Sequence, residues 1–146
     1  MMTTNLTRKR YQFDLAALQR LAASNYAGLQ PWLADLEARQ SFVVKIGRQL
    51  CFTVTVIQQA PFTTDIRIAQ QAFTKSLPGL RATQLEVRLY HDVRLAEVIS
   101  CQGVAQLRAR YDIPNPSMFQ ANEKQQVNQF LRDWIQLIRT HGLQEA

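Results

Sequence analysis

The residues of this chain with the most chemistry in their spacing are Arg88, Glu97 and Arg108, flanked by Tyr90 and Arg110. If Tyr90 pairs with Leu95 across a turn at His91 to Arg94, antiparallel register sets Arg88 opposite Glu97 and Val87 opposite Val98. A tight turn at Gln102-Gly103 then sets Glu97 opposite Arg108, Val98 opposite Leu107 and Ala96 opposite Ala109. Both turns agree on parity. Leu85, Val87, Leu89, Ala96, Val98, Leu107 and Ala109 are expected on one face, and Arg88, Tyr90, Glu97, Arg108 and Arg110 on the other. A carboxylate between two guanidiniums leaves each arginine with donors to spare for an anionic ligand. The same residues would also serve as a solvated charge ladder, worth only ~0.2 to 1 kcal/mol per pair.

Other constellations are weaker. His91 and Asp92 are neighbours whose side chains diverge on an extended strand, so only a tight turn could join them as a dyad. The other histidine, His141, stands alone near the C-terminus, and no nucleophile elbow is present. His91, Asp92 and Asp112 match no metal-ligand spacing, so no metal is expected. No P-loop or dinucleotide fingerprint occurs, and only five glycines are available to build a phosphate cradle from backbone. No cofactor is expected. Glu123, Lys124 and Asn128 extend the inward rows of a C-terminal helix and need polar partners there, although the same residue types suit ordinary helix-start chemistry.

The elements that position these residues follow from hydrophobic period. Asp14 can cap a helix with apolar positions Leu15, Leu18, Leu21, Ala22, Tyr26 and Leu29. Pro31 predicts a kink or break before the continuation through Trp32, Leu33 and Leu36 to about Arg39. From Ser41 the period is two: Phe42, Val44 and Ile46, a turn at Gly47-Arg48-Gln49, then Phe52, Val54 and Val56. Thr64 to Ala69 follows Pro61 as a third strand, Ser76-Leu77-Pro78-Gly79 is the clearest loop, and Leu85 to Tyr90 is a fourth strand. After Ile113-Pro114-Asn115-Pro116, a helix from about Ala121 to Arg139 should bury Val127, Phe130, Leu131, Trp134, Leu137 and Ile138, ending at Gly142. The expected fold is α+β: a five- or six-stranded antiparallel sheet, with an N-terminal kinked helix and a C-terminal helix packed on one face.

With 146 residues, 47% of them hydrophobic, the chain is expected to form one domain over 1–146, with residues 1–10 flexible. Its net charge is +6, and thirteen of its seventeen basic residues are arginine, which favours planar contacts to carboxylate or phosphate. The arginines are scattered, with only Arg8-Lys9-Arg10 forming a run, so nucleic acid is not the expected partner. No stretch approaches the ~18 apolar residues of a membrane span, and no secretory signal opens the chain. Cys51 and Cys101 lack partners at ligand spacing and are expected as free thiols in a cytoplasmic protein.

Several segments together resemble the YqiB-like family of uncharacterised proteobacterial proteins. They are Arg88-Leu89-Tyr90-His91-Asp92, Ala96-Glu97-Val98, Arg108-Ala109-Arg110-Tyr111-Asp112 with Pro114-Asn115, and Asn122-Glu123-Lys124-Gln125 with Asn128, Phe130-Leu131 and Asp133-Trp134. The likeness runs from about Asn25-Tyr26 to the end. It implies a bacterial cytoplasmic protein and no particular reaction, and its signature overlaps the polar face derived above. The expected function is a binding or regulatory module for an anionic small molecule or an acidic protein segment. Its candidate site comprises Arg88, Tyr90, Glu97, Arg108, Arg110, Asp112, Asn115, Glu123, Lys124 and Asn128. The alternatives are an enzyme on an anionic substrate, with Asp112, Glu97 or His91 moving protons, and nucleic-acid binding; a homodimer remains open.

Overall fold

The computed structural model of the chain describes residues 15–47, 50–72, 83–102 and 121–144. Helix α1 (Leu15–Arg39) is followed by strands β1 (Ser41–Ile46), β2 (Leu50–Gln59), β3 (Thr63–Ala72), β4 (Thr83–Tyr90) and β5 (Leu95–Gln102). Helix α2 (Ala121–His141) and a short strand β6 (Leu143–Gln144) complete the order. The sheet runs β5-β4-β3-β2-β1-β6 with antiparallel neighbours throughout. This is the expected α+β architecture. Its sixth strand is supplied by Leu143 and Gln144 against Lys45 and Val44, whereas the strand expected after Gln102-Gly103 lies outside the described residues.

Pro31 lies inside α1 without splitting it into two elements. Both Pro31 and Ala27, whose carbonyl loses its helical donor, are exposed, so water can satisfy the freed group. The helix stops at Gln40, whose φ of 63° is the left-handed conformation of a C-terminal cap. Gln40 N donates to Leu36 O at 2.8 Å, and Gln40 O accepts from Val56 N at 2.9 Å, which ties the helix end to β2. Gly47 takes φ 60° where the chain reverses between β1 and β2, a conformation that disfavours a side chain.

Alternation along the strands buries Phe42, Val44, Phe52, Val54, Ile66, Ile68, Leu85, Val87, Leu89, Ala96 and Val98 on one face. Tyr26, Leu29 and Leu36 of α1 and Val127, Phe130, Leu131, Trp134, Ile135 and Ile138 of α2 cover that face. Ile135 joins the stripe expected for α2, while Leu137 is only partly buried. The helices cross closely at Gly28, where an added Cβ would lie 2.7 Å from Ile135 Cγ2.

The β4–β5 register matches expectation at Tyr90↔Leu95, Leu89↔Ala96, Arg88↔Glu97 and Val87↔Val98. A bulge then shifts it, so that Glu86 meets Ser100 and Leu85 meets Cys101. The extra residue, Ile99, changes the parity, and Cys101 rather than Ser100 turns inward and is buried. Cys51 on β2 and Cys101 on β5 are both buried and form no disulfide.

Candidate functional site

The outer sheet face is assembled by β3, β4 and β5. Register sets Asp65 and Arg67 of β3 beside Arg88 and Glu86 of β4. Arg88 Nε donates to Asp65 Oδ1 at 2.8 Å and Arg88 Nη2 to Asp65 Oδ2 at 3.0 Å, a two-pronged pair. Arg67 Nη2 donates to Glu86 Oε1 at 3.1 Å. The Tyr90 hydroxyl donates to Glu97 Oε1 at 2.8 Å.

This corrects the charge pattern expected from the β4–β5 hairpin alone. Arg88 does stand opposite Glu97, but its carboxylate is Asp65, on the strand at its other side. The two oxygens of Asp65 match the guanidinium fork, and Glu97 is left to the Tyr90 phenol. Asp65 is 12% exposed against 40% for Arg88, so the arginine shields the carboxylate and keeps its own outer edge in solvent. The bond to Asp65, and then its charge, hold Arg88 above even the usual arginine range, so it stays cationic at any accessible pH.

Burial first, and the bond to Glu97 second, raise the Tyr90 phenol above its ordinary value of about 10, with Arg88 pulling the other way. The folded protein thus holds this proton more tightly than the unfolded chain, a contribution to stability present below pH ~10 and lost as pH rises through the folded value. In alkaline denaturation, the stability gap between the wild type and Tyr90→Phe should be constant up to pH ~9 and narrow above pH ~10. A gap that widens with pH would refute the assignment.

A second polar layer lies on the inner side. Asn128, 2% exposed, accepts from Val98 N at 2.9 Å and donates to Lys124 O at 2.7 Å. Asn25 Nδ2 donates to Asn128 O at 3.0 Å. One asparagine thus joins α2 to β5 beside the bulge, and its backbone meets α1. Asn128 and Arg88 fall on opposite sides of the sheet, so the structure does not bring them together. The Lys124 side chain is exposed; Arg108, Arg110, Asp112 and Asn115, and the Glu123 side chain, lie outside what is described.

His91 sits in the β4–β5 turn with Nδ1 2.9 Å from Tyr26 Oη and Nε2 2.7 Å from Thr64 Oγ1. Its backbone N donates to Phe62 O at 2.8 Å. Asp92 accepts instead from Val93 N at 3.0 Å, so even this turn forms no His-Asp dyad. A hydroxyl, imidazole, hydroxyl chain has the order of a nucleophile, base and orienting group, but Thr64 is only 6% exposed. The chain fastens α1 to the end of the sheet. Sequence reasoning missed both partners, since neither Tyr26 nor Thr64 is near His91 in the chain.

Beside this turn is an open groove of about 320 Å³, lined by Leu15, Leu18, Gln19 and Ala22 of α1, Val93, and the strand-end residues Tyr90, Leu95 and Glu97. Among the described residues no cluster of His, Cys, Asp and Glu could hold a metal ion, and no helix is long and apolar enough to cross a membrane.

Against this geometry, the family model described as Protein of unknown function (DUF1249) matches residues 28–144. The chain is 36% identical over 134 residues to the "Uncharacterized protein YqiB" of Escherichia coli (strain K12), covering 92% of this chain and 94% of that protein. The protein of the same description from Escherichia coli O157:H7 aligns over the same length with the same identity. No solved structure matches.

Proposed function

We propose that this chain, which belongs to the family of proteins of unknown function DUF1249, is a binding module whose outer sheet face receives an anionic group. The observation that carries this reading is the state of Arg67 and Arg88. Each is held upright by one carboxylate of the same face, and each keeps about two fifths of its side chain exposed, at 42% and 40%. Asp65 uses Nε and Nη2 of Arg88, and Glu86 uses Nη2 of Arg67, so Nη1 of both is left for a ligand among the described residues. Arg67 Nε is buried with no acceptor among the described residues. Among the described residues, the inner face is covered by the two helices. Arg108 and Arg110, which lie outside the described residues, are proposed from the sequence to extend the outer face.

Titration calorimetry with citrate and with an oligo-glutamate peptide tests the proposal and separates a small anion from an acidic protein segment. At least one should bind saturably to the wild type. Arg67→Ala, and the double variant Arg108→Ala with Arg110→Ala, should each weaken it by about tenfold or more. The melting temperature of Arg67→Ala should hardly move, because an exposed pair contributes ~1 kcal/mol or less. Arg88 is unsuitable for this purpose, since its removal strands Asp65. If neither probe binds, or if both variants bind like wild type, the reading is wrong.

A further inference from the structure

The groove between α1 and the tip of the β4–β5 hairpin calls for a different ligand. Leu15, Leu18, Ala22, Val93 and Leu95 give it apolar walls, and Leu15 and Val93 remain 55% and 58% exposed because it is open. Tyr90 and Glu97 also line it. Glu97 is the only charged side chain among the described residues of the lining. Its strand partner Arg88 is committed to Asp65, and the described partner of Glu97 is the neutral Tyr90 hydroxyl, on Oε1. Oε2 makes no hydrogen bond among the described residues. A carboxylate against apolar walls gains more from a counter-ion than one in open water, because the surroundings screen it less.

We propose that this groove binds a small amphiphilic amine, with its alkyl or aryl body on the apolar walls and its protonated nitrogen on Glu97 Oε2. Tyr90 acts as a positioning residue, its hydroxyl fixing the carboxylate rotamer. The volume stands near the lower end of small-molecule sites, roughly 300–1,000 Å³, which suits a short tail rather than a long acyl chain. This inference does not rest on the anion reading. It uses a different carboxylate and different probes, so either can fail while the other stands.

Three probes with one tail decide it: octylammonium, octanol and octanoate, followed by calorimetry or by chemical-shift changes at Leu15, Val93 and Leu95. Octylammonium should bind about tenfold tighter than octanol, and octanoate weaker than both. Glu97→Gln should reduce octylammonium to the level of octanol and leave octanol unchanged. Val93→Ser, at an exposed position that the fold tolerates, should weaken all three. The proposal is overturned if octanoate matches octylammonium, if Glu97→Gln keeps the preference, or if no probe binds the wild type.

Discussion

Replacing Trp134 by alanine is expected to lower the unfolding free energy by ~3–5 kcal/mol, the usual cost of emptying a buried aromatic site. Trp134 is 3% exposed and meets Phe52 edge to face, with ring centroids 5.0 Å apart at 70°. It also meets Phe130 at 5.0 Å and 52°. The indole thus joins α2 to β2, and pairs of this geometry contribute ~0.5–1.5 kcal/mol beyond the area they bury. Neighbouring Phe52 and Phe130 are anchored on separate elements, so collapse into the vacancy should be partial. Urea denaturation should show a lower midpoint with an unchanged slope. A midpoint equal to wild type would show the ring to be exposed.

Asn128→Ala should have the next largest effect, ~1–3 kcal/mol, by leaving the Val98 N–H buried without an acceptor. The link to α1 should survive, because Asn25 binds the backbone oxygen of residue 128 rather than its side chain. Amide hydrogen exchange can follow the two separately. The Val98 amide should lose protection out of proportion to the global loss, while amides in α1 follow the global change. If neither stability nor Val98 exchange responds, Asn128 is not the clamp described here, and its place among the ligand candidates is restored.

The parts of this architecture legible from sequence are those fixed by short-range patterns. The four-residue turn His91 to Arg94 sets the β4–β5 register mechanically, and Arg88 opposite Glu97 follows from it. The inward rows of α2 follow from helical period, and Trp134 with them. The Arg88–Asp65 pair was not legible, because β3 and β4 are joined through residues 73–82, and a long connection places no constraint on register. Parity said which face Arg88 would occupy and was silent on which neighbour would take its charge. The Val56/Gln58 and Glu86/Val87 register shifts were hidden for a related reason: a single extra residue leaves the local hydrophobic pattern almost intact. The groove was equally invisible, since its two walls come from residues about 75 positions apart that only the docking of α1 brings together.

The strand order β5-β4-β3-β2-β1 also has a consequence for how the chain assembles. Each of these strands pairs with its predecessor, so the meander can grow hairpin by hairpin with modest loop-closure entropy at each step. Its apolar cover comes from the two ends of the order. Asn25 and Asn128, which join the helices, are 103 residues apart, and β6, the partner of β1, follows α2 at the far end of the chain order. A sheet assembled before α2 docks would present Phe52, Ile66, Ile68 and Leu85 to water with only α1 to shelter them, and β1 with an open edge. Aggregation during refolding should accordingly depend on how fast residues 121–144 arrive, and supplying that segment in trans should suppress it.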